Sequence, residues 1–291
     1  AEAYYPVPHL VLAGPAFTNE YSSNVVRSGD SGQLSDLLDG SALDRADSPT
    51  TTPSTTAEDL EEQFLKERIS SYTAAAQSQR GSRIGGLYGN AMDDLDVLLS
   101  MSDTVDLAAG IDGCRRDIAN DCAVAFNAFE YELSRCVLTK DDGYCSMTWD
   151  THSGNDYQDR HYEELFGFLL EAMEDLDSRT SSSGTPLADE VTIVLFSEMA
   201  RHPQLTGDGR AHWSYTSFVV IGAGVQGGQV VGELDDDFFG KAIDLATGQV
   251  DQDNGTPLLP GNLGATLLKI AGMDEAELLP DYAPIDAIIA S

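Results

Sequence analysis

Residues 191–203 read Val-Thr-Ile-Val-Leu-Phe-Ser-Glu-Met-Ala-Arg-His-Pro, an apolar run that ends abruptly in charged and metal-capable side chains. Val191 to Phe196 has the length of a strand, and a run without polar alternation is what a strand buried on both faces shows. Ser197 to Arg201 then lies beyond the strand's carboxyl end, where open parallel sheets bind ligands. Working outward, Phe218 to Ile221 reads as a second buried strand and Ser146 to Thr151 as a third. Tyr162, Leu165, Phe166, Leu169, Met173 and Leu176 recur at a helical period, and Thr266 to Ile270 falls in a late helix. Strand, helix, strand, loop, strand predicts an α/β fold over residues 146–291, with a mostly parallel sheet flanked by helices.

Residues 1–145 read differently and are expected to form a mostly helical, disulfide-tied portion continuous with the rest in one domain. His9 to Gly14 is a short strand stopped by Gly14-Pro15, and residues 18–47 are polar, with Leu34, Leu37 and Leu38 at helical spacing. Residues 48–56 (S-P-T-T-T-P-S-T-T) form a linker-like loop. A helix follows it, capped by Thr55 or Thr56 with Glu58 and Asp59 behind, and carrying Leu60, Phe64, Ile69 and Tyr72. Further helices are expected at Ala91–Leu99 and Ala119–Cys136.

Cys114, Cys122, Cys136 and Cys145 cluster without C-x-x-C spacing, which speaks against a zinc knuckle or a thioredoxin-type site. Two disulfides, in any of three connectivities, would place the chain in an oxidising compartment; four buried thiols are the alternative. Ala1 opens neither a basic nor an apolar leader segment, so an exported chain is expected to be already trimmed.

Across 291 residues, 42% of them apolar, no run of about 18 apolar residues suggests a membrane span. Lys and Arg number 16 against 49 Asp and Glu, a formal net charge of -33, which repels nucleic acid and anionic lipid. The acid excess has two readings. One is solubility in a salty medium, and the other is divalent-cation binding at clusters such as Asp235-Asp236-Asp237.

Four metal-capable side chains lie at the expected strand ends: Asp150 and His152 in W-D-T-H (149–152), Glu198 in S-E-M-A-R (197–201), and His212 in G-R-A-H-W (209–213). Mixed carboxylate and imidazole donors suit Zn, Mn or Fe better than Ca. The planar fork of Arg201 matches phosphate or sulfate oxygens. Each residue also has an ordinary role open to it: D-x-H as a turn, Glu198 as a helix cap, His212 as a core histidine beside Trp213. Gly222-Ala223-Gly224-Val225-Gln226-Gly227 matches G-x-G-x-x-G, but Gln229-Val230-Val231-Gly232 reads as a strand or turn where a dinucleotide site needs a helix. Asp251-Gln252-Asp253-Asn254-Gly255 places its glycine one position early for an EF-hand.

Taken in order, W-D-T-H-S (149–153), V-T-I-V-L-F-S-E-M-A-R-H-P (191–203), G-D-G-R-A-H-W (207–213), G-A-G-V-Q-G-G-Q-V-V-G (222–232) and G-N-L-G-A-T-L-L-K-I-A-G (261–272) resemble the bacterial exported family labelled domain of unknown function 1501, a relative of the alkaline phosphatase and sulfatase superfamily. The resemblance implies an alkaline-phosphatase-like fold and a metal-dependent hydrolase of phosphate or sulfate esters, in the periplasm, at the cell surface or outside the cell. It makes Asp150 and His152 the first metal-ligand pair and His212 the last metal-binding histidine. Glu198 stands where relatives carry an Asp-His pair, with Zn or Mn favoured over Ca and Arg201 as the anion contact. The family's S-E-F-G-R-T-P is here Ser197-Glu198-Met199-Ala200-Arg201-His202-Pro203, and nothing matches the superfamily's early strand bearing its nucleophile. Hence a rival expectation: a non-catalytic surface or assembly protein, paired with an N-terminal fragment, another chain or further copies.

Overall fold

Buried backbone must find hydrogen-bond partners, and among the described residues several short ladders supply them. The computed structural model describes residues 9–12, 25–27, 111–112, 115–116, 118–154, 156–197 and 199–290. The expected loop 48–56, the helices after it and at Ala91–Leu99, the leucines at 34–38, Cys114 and Glu198 lie outside these residues. The chain divides into two units, residues 1–142 with 168–172, and residues 143–167 with 173–291.

In the first unit, β1 (His9–Val11), β2 (Val25–Arg27) and β5 (Cys136–Leu138) form a three-stranded parallel sheet in the order β2-β1-β5. Leu10 pairs with Val26 on one side and Val137 on the other. The central strand comes from the run Leu10-Val11-Leu12, all buried, as expected where both neighbours are parallel strands. β3 (Ile111–Asp112) and β4 (Arg115–Arg116) make a separate antiparallel pair. Helix α1 (Ile118–Glu130) buries Ile118, Val124, Ala125, Phe126 and Ala128. It stops short of the expected Cys136: Glu132 turns to φ 55°, the Leu133 N–H returns to the Ala128 carbonyl at 2.8 Å, and Cys136 opens β5.

The second unit holds β6 (Thr192–Phe196), β7 (Ala200–Arg201), β8 (His212–Trp213) and β9 (Phe218–Gly222). Helix α2 (Gln158–Ser178) contributes residues to both units. Helices α3 (Pro260–Ile270) and α4 (Glu275–Leu278) follow. Around α3, Ala265, Thr266 and Ile285 are buried: the Thr266 hydroxyl donates to the Asn262 carbonyl at 2.6 Å and accepts the Ile285 N–H at 2.8 Å. The last described residues are tied back to the turn after β9. The Gln226 N–H donates to the Ile288 carbonyl at 2.8 Å and the Ala290 N–H to the Gly224 carbonyl at 2.9 Å.

Three expectations are corrected. The mostly parallel, helix-flanked sheet is absent among the described residues: β6 and β9 pair antiparallel, Ile193 opposite Ile221, as a two-stranded ladder, and the parallel sheet is confined to three strands of three residues each. A parallel return would need a crossover, usually helical. The 197–217 connection instead folds as the antiparallel β7–β8 pair, broken by Pro203 and Gly207. Second, 146–151 is not a strand; a 3-10 turn at Tyr144–Ser146 leads into irregular backbone. Third, the two-disulfide tie fails because Cys122 and Cys136 are thiols, although Cys145 is disulfide-bonded. Among the described residues, no helix is long and apolar enough to cross a membrane.

Candidate functional site

Backbone pairing brings Arg201 and His212 directly opposite each other in the β7–β8 register. Residues 149–153 are held against the same connection: the Arg210 N–H donates to the Thr151 carbonyl at 2.9 Å, and Thr151 is buried. A Cβ at Gly209 would overlap the His152 carbonyl, so no larger residue fits there without movement. The Asp150 carboxylate caps its own turn, its Oδ1 accepting the His152 N–H at 2.9 Å, while its N–H donates to the Thr148 hydroxyl at 2.9 Å.

These constraints gather four of the five expected site residues. Arg201 donates to Asp150 Oδ1 in an ion pair, with the guanidinium 16% and the carboxylate 52% exposed. The His152 and His212 rings meet edge-on, 5.6 Å between centroids. Glu198 lies outside the described residues. Asp150 and Arg201, 51 positions apart in the chain, are thus in direct contact.

The donor chemistry, two imidazoles and a carboxylate, is that of a borderline divalent metal site. Asp150 Oδ1 is engaged by Arg201 and by the His152 N–H, and among the described residues no group of three or more His, Cys, Asp or Glu is placed to hold an ion. The two imidazoles and the Asp150 carboxylate fit a divalent metal by donor type.

His202, the extra imidazole, takes the place suggested for His212. Its ring lies 4.2 Å from Trp213 and 5.8 Å from Phe238, and its Nδ1 accepts the Gln204 N–H at 3.1 Å. His212, by contrast, is exposed. The β7–β8 pair therefore has Arg201 and His212 at one register position and the aromatic neighbours of Trp213 at the next.

Sequence reasoning missed the support beneath Asp150. Trp149 packs against His161 at 4.8 Å and Tyr162 at 5.1 Å, both on α2. His161 is 2% exposed and its Nδ1 accepts the Tyr144 N–H at 2.8 Å. The signal was present: position 161 continues the spacing of buried Leu169, Ala172 and Leu176 toward the helix start.

The G-x-G-x-x-G segment at 222–227 passes through a turn into irregular backbone, with no helix to receive a pyrophosphate. In Asp251–Gly255, the Asp251 Oδ1 accepts the N–H groups of Asp253 at 3.1 Å and Asn254 at 2.9 Å, an Asx-turn arrangement.

Compared with known proteins, residues 12–286 match the family described as "Protein of unknown function (DUF1501)". No curated protein and no solved structure matches.

Proposed function

This chain belongs to the DUF1501 family, and within it we propose an exported, metal-dependent hydrolase of phosphate or sulfate esters. What supports the reading is the meeting of Asp150, His152, Arg201 and His212 from three separate stretches of sequence. Asp150, His152 and His212 would hold a zinc or manganese ion, with Glu198 assigned to them by its place in the sequence alone. A bound ion of this kind polarises an ester oxygen and favours hydroxide over water. Arg201 presents a planar, permanently charged donor to the anionic group of the substrate. Asp150 holds that guanidinium in place until the anion arrives, and the anion's binding releases the carboxylate.

The test is a zinc or manganese titration of the chelator-treated full chain by calorimetry, with hydrolysis of p-nitrophenyl phosphate and p-nitrophenyl sulfate followed in parallel. Saturable binding and metal-dependent turnover are expected, both abolished in the His152→Ala, His212→Ala double variant. A chain that binds neither ion, or binds them equally well without both histidines, overturns the reading.

One observation favours a second reading, a non-catalytic surface or assembly protein: Arg201 already neutralises Asp150. Metal binding without turnover of either ester, together with assembly into larger species, would select it.

A further inference from the structure

The segment carrying Asp150 and His152 is irregular backbone, so something other than a ladder must fix it. On one side, Thr151 is bonded to Arg210. On the other, Trp149 stands against two successive residues of α2, His161 tilted at 34° and Tyr162 edge-on at 74°. The Gln158 side chain also reaches the Trp149 carbonyl at 3.5 Å.

His161 is the most constrained of these partners. A backbone N–H can only donate, so the Nδ1 that receives Tyr144 N–H must present its lone pair, and the proton of the neutral ring sits on Nε2. The ring is boxed in as well: a Cβ on Gly143 would lie 2.8 Å from its Cε1, and Gly143 has φ 82°, which side chains seldom adopt. One ring thus accepts from the turn at Tyr144 with its edge and packs Trp149 with its face. Both chain ends of the 144–149 stretch are pinned to the start of α2, and Asp150 is the next residue.

We propose that His161 is a positioning residue for the Asp150–His152 segment. Through the Tyr144 bond and the Trp149 contact it sets where that carboxylate and imidazole sit. The proposal rests on the metal-site reading for its functional consequence but not for its geometry, and the two can fail separately.

The experiment uses the full chain in four forms: parent, His161→Ala, His161→Asn and Gly143→Ala. The asparagine variant places an amide oxygen near the position of Nδ1 and so keeps the acceptor. Amide hydrogen exchange at residues 149–153 is compared with that of Thr192–Phe196 and of α3, and zinc affinity is measured well below each variant's melting temperature. His161→Ala and Gly143→Ala are expected to speed exchange at 149–153 by on the order of 10-fold while leaving the two reference elements unchanged. They are expected to weaken zinc binding by about 10- to 100-fold, the range seen when a group supporting a metal ligand is removed. His161→Asn should recover part of both effects. Exchange that rises equally in all three regions identifies a merely structural residue and overturns the proposal, as does no change at 149–153. Local loosening that asparagine does not relieve overturns the role of the Tyr144 bond. Loosening with zinc affinity unchanged overturns the link to the site. If the parent binds no zinc, the hydrolase reading falls, and the exchange pattern alone decides the role of His161.

Discussion

Arg201 is the residue on which the site turns, because it faces two ways: toward Asp150 now and toward an anion in the proposed function. Arg201→Ala should therefore separate two affinities. Phosphate or sulfate binding is expected to fall by about 10- to 100-fold, the worth of a charge-assisted hydrogen bond, while zinc binding holds or tightens as Asp150 is released. Lysine at 201 should not restore anion binding, since a point charge lacks the fork. Calorimetric titration of both ligands checks this, and a parallel loss of both would contradict it. Two lysines offer a pH signature. Lys241 is raised by its hydrogen bond to Glu233, and Lys269 by its bond to Asp286. A base raised on folding adds stability that is full below its ordinary value and disappears as pH climbs through the folded value. Both ties should thus hold at neutral pH and fail in the alkaline range above about 10.4. Alkaline melts of Lys241→Met and Lys269→Met should lack the corresponding part of that decline. Burial likewise pushes the Cys136 thiol up, although the residue as a whole is exposed. At this scale Asp150, His152, Arg201 and His212 stood out in the sequence as reactive side chains against apolar runs, and what the structure adds is their contacts, Asp150 with Arg201 and His152 with His212. His161 was marked only by its helical register with Leu169, Ala172 and Leu176, and it was passed over because apolar residues normally fill such a position.

Among the elements, α2 and the strands β6 and β9 were expected nearly where they are found. Periodicity marks where an element lies but not which way its neighbour runs. The runs were expected to be buried on both faces, but β6 and β9 are half-buried to exposed strands of a two-stranded antiparallel ladder, and their orientation follows from the connection. Pro203, Gly207 and Gly209 deny residues 197–217 a crossover helix, and the antiparallel return follows. The expected face of α2 is met in part: Leu169 and Leu176 are buried, together with His161 and Ala172, whereas Tyr162 and Phe166 are 50% and 51% exposed and stack on each other at 6.1 Å. Two substitutions probe the joints between elements. Thr266→Val keeps the shape but leaves the Ile285 N–H without its acceptor, and should cost about 1–3 kcal/mol in urea unfolding. Gly209→Ala forces the loop off the His152 carbonyl. It should cost about 1–3 kcal/mol and disturb zinc binding, whereas Thr266→Val should leave zinc binding alone.

For the molecule as a whole, a formal charge of -33 sets the response to its medium. Self-repulsion is long-ranged in dilute buffer and short-ranged in brine, the screening length falling from about 30 Å near 0.01 M salt to about 3 Å near 1 M. Melting temperature should therefore rise steadily with sodium chloride; a flat or falling curve would mean that the acidic surface is already neutralised by bound cations. Composition made this property plain, whereas the arrangement of small ladders was hidden because short strands leave weak periodic traces. The tie between residues 288–290 and the turn after β9 bears on how the chain can be handled in the laboratory. A chain cut before residue 288 would leave the Gln226 N–H and the Gly224 carbonyl without these backbone partners.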